Sequence, residues 1–215
     1  MREASATTTP DVRTVTPWSM LGMSGLAEIV GVSTALAVAY VAVAVLLAGA
    51  PGMVAAVVVA GVLYWTFLEY LLHRFVLHWE PERPALRLVR RCFPSHRSHH
   101  DAPLAERINI MLQLRITLGL TLAYTAALWA CGLPLAVALA LNAGILVGYQ
   151  AYEVVHVACH HLPMRNAWAA RLKRHHAIHH HRDETVNFGV TTTVWDHVFR
   201  TAWQPRTRAV SATAA

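Results

Sequence analysis

Fourteen histidines occur in 215 residues, and thirteen of them fall into four clusters. These are His73 and His78; His96, His99 and His100; His156, His160 and His161; and His175, His176, His179, His180 and His181. Only His197 stands alone. Helical residues three and four apart share a face, so HRSHH and HAIHH each present three imidazoles together, one flank of a metal site. His156 and His160 form a further i, i+4 pair. His73 and His78 are five apart, about 140° around an ideal helix. Either the helix end unwinds there, or the two serve different metals. His175 stays ambiguous, because His175/His179 and His176/His180 have the same spacing.

Ten imidazoles exceed the coordination of one ion and suit two ions with about five each, which makes the expected site binuclear. The clusters hold almost no carboxylate or thiolate, which argues against calcium and against cysteine-type structural zinc. Zinc, copper, iron and nickel remain by ligand type. Cys92, Cys131 and Cys159 have no metal-like spacing and read as packing residues. His161, His181 and His197 read as ordinary polar histidines. Metal-bound imidazoles need outer partners, and Glu69, Asp101, Glu153 and Asp196 lie beside or one turn from the clusters. Surface carboxylates or helix caps are the competing reading for those four.

The elements that position these residues are apolar blocks. Apolar residues make up 55% of the chain and are concentrated in long runs. Residues 26–50 could cross a hydrocarbon core of about 30 Å. Pro51-Gly52 breaks that run, and a second follows from Met53 to Leu72. A third covers 110–130, and Cys131-Gly132-Leu133-Pro134 leads into a fourth ending near His160. The first run begins too far in and lacks the basic flank of a signal peptide. The expected fold is all-α: an integral membrane protein with four transmembrane helices in two hairpins and a cytoplasmic helical cap holding a binuclear histidine site. Residues 25–203 form that domain, between flexible tails 1–24 and 204–215.

Neither hairpin turn carries Lys or Arg. The basic residues precede the first run, lie between the second and third, or follow the fourth, apart from Arg74 and Arg115 at run ends. Both termini and the histidine clusters are therefore expected on the cytoplasmic side. The net charge of +6 reads as topology and headgroup attraction, not nucleic-acid binding.

The motifs resemble the fatty acid hydroxylase and sterol desaturase superfamily of membrane di-iron enzymes, especially the fatty acid 2-hydroxylases. EYLLHRFVLH (69–78), HRSHHDAP (96–103) and GYQAYEVVHVACH (148–160) resemble its first three histidine boxes. HHAIHHHRDETVNFGVTTTVWDHVFRT (175–201) resembles the last box with the NFG and WDxxF signatures behind it. Alignment on Phe188-Gly189 selects His176, His179 and His180 over His175. The resemblance implies two iron ions bound by His73, His78, His96, His99, His100, His156, His160, His176, His179 and His180, with zinc able to occupy the site in a purified preparation.

It also implies O2 as co-substrate and hydroxylation of an unactivated C–H bond in a lipid-like molecule, a fatty acyl chain foremost. A sterol, carotenoid or specialised lipophilic metabolite is the alternative substrate, and desaturation the alternative outcome. Some relatives carry a fused cytochrome b5 domain, and nothing before Leu26 is long enough for one. A separate donor of ferredoxin or cytochrome b5 type, with a reductase, is expected. Arg200 stands where many relatives have Gly after WDxxF. Carotenoid hydroxylases have their first two boxes closer together than His78 and His96. A histidine-rich zinc transporter is the distant alternative, and it calls for polar residues at mid-membrane. Glu28 and Asn142 are the main candidates.

Overall fold

The computed structural model describes residues 23–90, 96–101, 103 and 110–205. Most of both expected tails, and Cys92, lie outside these residues. Among them the chain is all-helical: α1 Met23–Ala48, α2 Pro51–Leu72, α3 Pro84–Arg90, α4 Arg97–Asp101, α5 Ile110–Ala130, α6 Leu135–His161, α7 Ala167–His181 and α8 Val194–Val198. A π-helical turn, His73–Leu77, extends α2.

Helix α6 is the hub, packed by α1, α2 and α5. Helix α1 buries Ile29, Ser33, Ala37, Tyr40 and Ala44. Their three- and four-residue spacing makes one stripe. Ala37, Tyr40 and Ala44 meet Leu139, Ala140, Ala143 and Leu146 of α6 in a single core cluster. Helices α2 and α6 cross backbone to backbone. A Cβ on Gly144 would collide with the Val58 carbonyl, and one on Gly61 with the Leu141 carbonyl. Close approach through small residues is how apolar helices pack tightly in lipid, where burial of hydrocarbon gives little drive to association.

The turns between these helices follow from local chemistry. Gly49 and Gly132 take positive φ, +61° and +92°, and Pro51 opens α2 at a position needing no N–H partner. Cys131 lies exposed at the second turn rather than packed, whereas Cys159 is buried as expected. Asn142, a polar residue in the middle of α6, donates to the Thr121 carbonyl at 2.6 Å and the Thr125 hydroxyl at 2.7 Å. Its amide thereby joins α5 to α6.

The outer faces of the long helices are apolar and exposed, at Val38, Leu46, Val59, Leu63 and Leu120 among others. So broad an apolar surface fits lipid rather than water. Helical stretches Gly25–Ala48, Pro51–Leu77 and Leu135–His161 are each long and apolar enough to cross a membrane. Ile116–Ala130 of α5 is a shorter apolar stretch. The chain is a membrane protein.

Candidate metal centre

The ten histidines meet at one end of this bundle, where α2 and α6 end, and form two groups. His73, His78, His96, His100 and His179 form one; His99, His156, His160, His176 and His180 form the other. Within each group the ligand nitrogens lie within 4.8 Å of one another. Neither group includes a carboxylate or a thiolate.

The π-turn resolves the His73/His78 spacing. The His78 N–H donates to the His73 carbonyl, an i→i+5 bond that widens the turn by one residue. The two rings come to 5.1 Å between centroids and enter the same group. The helix end thus unwinds locally into a wider turn, and the two residues are not sent to separate sites. The HxxHH triples differ from expectation, because neither serves one group alone. His96 and His100 face one group while His99 faces the other. His176 and His180 face the second while His179 faces the first. The reason is angular. Positions i+3 and i+4 fall on opposite sides of position i, about 100° apart, so each triple straddles the seam between the groups.

A metal holding imidazoles at about 2.1 Å and at right angles sets neighbouring nitrogens about 3.0 Å apart. The facing Nε2 atoms fit: His73 to His96 is 3.0 Å, His78 to His179 3.0 Å, His99 to His160 3.1 Å and His160 to His176 2.9 Å. Buried ring nitrogens of His100, His156 and His180 have no hydrogen-bond partner among the described residues. Burial, followed by nearby imidazoles, pushes His100 down to about 4, and His96 and His176 well below the usual range. Burial likewise takes His179 to about 3 and lowers His78 and His180. These rings are neutral at physiological pH, with lone pairs available to a metal.

Two tautomers are set by backbone. His73 Nδ1–H donates to the Phe188 carbonyl at 2.5 Å, and His179 Nδ1–H to the Val186 carbonyl at 2.7 Å. Each leaves Nε2 as the free acceptor aimed into its group. The segment supplying those carbonyls is itself pinned by buried carboxylates. Glu69 accepts from the Val190 N–H at 2.6 Å, the Thr191 N–H at 2.9 Å and the Thr191 hydroxyl. Asp196 accepts from the Phe188 and Gly189 N–H groups, both at 2.8 Å, and from the Thr201 hydroxyl at 2.7 Å. The fourth partner of Asp196 is His175 Nε2 at 3.0 Å. Burial alone would raise the Asp196 carboxyl, but the His175, Thr201 and Gly189 bonds outweigh it and hold the group below its ordinary value.

Local residue choice follows from this architecture. Gly189 admits no side chain, since a Cβ would strike the Thr192 carbonyl and approach Asp196 Oδ2 at 2.9 Å. Asn187 adopts φ +59°, and its side chain bonds the His175 carbonyl and the Trp203 N–H. Arg200 takes φ +57°, so the turn after WDxxF keeps its glycine-type backbone without a glycine. Phe188 packs edge-on against His73, His78 and His179 and closes that side to water.

Of the four carboxylates singled out from the sequence, Glu69 and Asp196 are buried; Asp196 holds the 188–189 peptide whose carbonyl orients His73, and Glu69 holds the two peptides that follow it. Glu153 is buried on α6 three residues before His156. Asp101 is exposed, and its charge favours the protonated form of His100, against the effect of burial. Sequence reasoning missed Thr191, Thr201 and the Val186 and Phe188 carbonyls. The NFG motif was the available signal for that segment. His161, His181 and His197 belong to neither group.

An all-helical membrane bundle with two imidazole pockets at one end is a recognisable class. The chain belongs to the fatty acid hydroxylase family, whose profile matches residues 58–201. Fatty acid 2-hydroxylase of Mus musculus is 32% identical over 144 residues, covering 66% of this chain and 38% of that protein. Dihydroceramide fatty acyl 2-hydroxylase of Arabidopsis thaliana is 33% identical over 157 residues, covering 71% of this chain and 62% of that one. A solved structure of full-length Scs7p, with only its hydroxylase domain visible, matches with a TM-score of 0.68 and 29% identity. That match covers 88% of this chain and 67% of the other. The chain thus spans about two fifths of the mouse relative's length and about three fifths of the plant relative's.

Proposed function

We propose that this chain is an O2-dependent hydroxylase of a lipid-like substrate, foremost a fatty acyl chain, working with two iron ions held by the ten grouped histidines. The observation that carries this reading is the division of ten imidazoles into two groups of five with nitrogens at ligand-to-ligand spacing. The family relationship supports it.

When bound, iron supplies the redox steps by which R–H, O2, two electrons and two protons become R–OH and water. Zinc in the same ligands has no accessible redox couple and would leave the oxygenase inactive. The chain's own part is to hold neutral imidazoles in fixed tautomers through Val186 and Phe188, and to exclude water with Phe188. The two electrons come from a separate donor of ferredoxin or cytochrome b5 type with its reductase.

The reading includes four membrane crossings, with both termini and the metal site on the cytoplasmic side. Substrate then rises from the bilayer between the ends of α2 and α6, which carry His73, His78, His156 and His160 to headgroup level. Trp65, Tyr149 and Tyr152 form an aromatic cluster there, with the Tyr152 ring 5.3 Å from His156.

The test is mass spectrometry of lipids from cells grown under 18O2, with iron and a reductase supplied. The intact chain, His99→Ala and empty vector are compared at matched membrane expression. A labelled hydroxylated lipid made only by the intact chain is expected. Equal lipid profiles in all three, with the protein folded and iron-loaded, would overturn the reading in that host.

A further inference from the structure

Helix α8 lies outside the long helices yet is fastened to the flank of one of them. Trp195 Nε1 donates to the Thr66 hydroxyl at 3.0 Å, and the Trp195 ring sits 4.8 Å from Phe67. Phe199 stacks on Tyr70 at 5.2 Å and 13°. All these partners belong to α2, within the stretch able to cross a membrane. Thr66 precedes His73 by seven residues, so α8 is held about 10 Å further along α2, away from the histidines and toward the hydrocarbon.

Outward, α8 and the residues just after it present three apolar side chains, with the exposed polar residues His197 and Arg200 at their edge. Val194 and Val198, one helical turn apart, are 56% and 59% exposed, and Phe199 is 43% exposed. Its inward side carries Asp196, fully buried, and the half-buried Trp195. On α2, Leu63 lies on the same side as Thr66, Phe67 and Tyr70, which hold α8, and is itself exposed. An apolar face at this depth, beside a lipid-facing helix, is matched by hydrocarbon rather than by water or a polar protein surface.

We infer that Val194, Val198 and Phe199 contact the acyl chains of the bilayer, so that the segment following the last histidine cluster returns from the cap into lipid alongside α2. The inference rests on the chain being a membrane protein and not on its chemistry. Asp196 belongs to the same five-residue helix, and through it lipid contact fixes the height of the peptides that orient His73.

The test uses the intact chain in phosphatidylcholine liposomes containing one of two photoreactive phosphatidylcholines, with a diazirine at mid-chain or on the headgroup. A water-soluble diazirine serves as the third probe. Labelled peptides are mapped by mass spectrometry. The mid-chain probe is expected to label 194–199 within about twofold of Leu63, and at least about fivefold above the polar turn 182–185. Labelling of 194–199 by the headgroup or water-soluble probe alone would place the helix at or above the surface and overturn the inference. Protection from all three would mean that protein covers the face, whether a second copy or a donor, and would overturn it equally. The readout is lipid contact, so its failure leaves the hydroxylase reading untouched, and the reverse holds as well.

Discussion

The rings of His100 and His180 stack 4.1 Å apart at an interplanar angle of 9°, although each belongs to a different group of five. The two pockets share a wall made of imidazoles. Loss of either ring therefore disturbs both. On the proposed di-iron reading the intact protein binds two equivalents of iron, and His100→Ala and His180→Ala are each expected to bind well below that. His161→Ala, outside both groups, is expected to retain two. Elemental analysis of purified protein gives the answer, and full occupancy in His100→Ala would remove that residue from the ligand set.

Asp196 is completely buried with four hydrogen-bonded partners. Replacing it with Ala strands two backbone donors, a hydroxyl and His175, and is expected to cost about 3 kcal/mol of stability. Thermal unfolding in detergent should show a lower midpoint, with less bound metal at equal protein. An unchanged midpoint would mean that water replaces the carboxylate.

Glu69 separates charge from geometry. Glu69→Gln keeps one acceptor for the Val190 and Thr191 donors, whereas Glu69→Ala keeps none. Loss of an outer partner typically lowers metal affinity by about 10- to 100-fold. Competition with a chelator should show that loss in the Ala variant and a smaller one in Gln. Equal affinities in all three proteins would cut the connection from Glu69 to His73.

Acid sensitivity follows from His100, held down to about 4, and His179, held down to about 3, in both cases chiefly by burial. In the unfolded chain both titrate near about 6.5. Between those values the unfolded state binds more protons, so stability falls as pH falls. The contribution is complete above about pH 6.5 and is lost progressively toward about pH 4 and then about pH 3. The metal-free protein should melt at one temperature from about pH 8 to 7 and at lower temperatures below that. A melting point unchanged down to about pH 5 would contradict the depressed imidazoles, and metal release on mild acidification should accompany the decline.

Gly144 tests the helix crossing. Gly144→Ala places a methyl group against the Val58 carbonyl and is expected to destabilise the protein by about 1–3 kcal/mol. Gly31→Ala, with open space around it, is the control. Matching unfolding curves for the two variants would show that α2 and α6 can separate slightly at no measurable cost.

The long helices and the crowding of histidines at their ends were legible because both depend on residue type and spacing along one segment. The π-turn was not. Five-residue spacing permitted two readings, and only the backbone shows the widened turn that removes the choice. The sharing of each HxxHH triple was equally hidden, since it depends on which neighbour lies on either side of the helix. Glu69 and Asp196 were visible as candidates, but their action passes through peptide groups, and carbonyls leave no trace in residue identity. His175 was legible as a competitor of His176. Its bond to Asp196 requires the turn of Asn187 and Gly189, which folds a distant segment back over α7.

The carbonyl that orients His73 comes from Phe188, 115 positions later in the chain. Ribosomes deliver the first of these residues to the membrane long before the second exists. A nascent chain therefore holds His73 and His78 without the group that fixes the ring, and His179 follows His78 by 101 positions. Metal delivered during synthesis would meet scattered, freely rotating imidazoles. On the proposed metal-binding reading, metallation would be a finishing step that needs the closing segment folded back, and a translation product truncated before that segment would carry the early motifs without the carbonyl that orients His73.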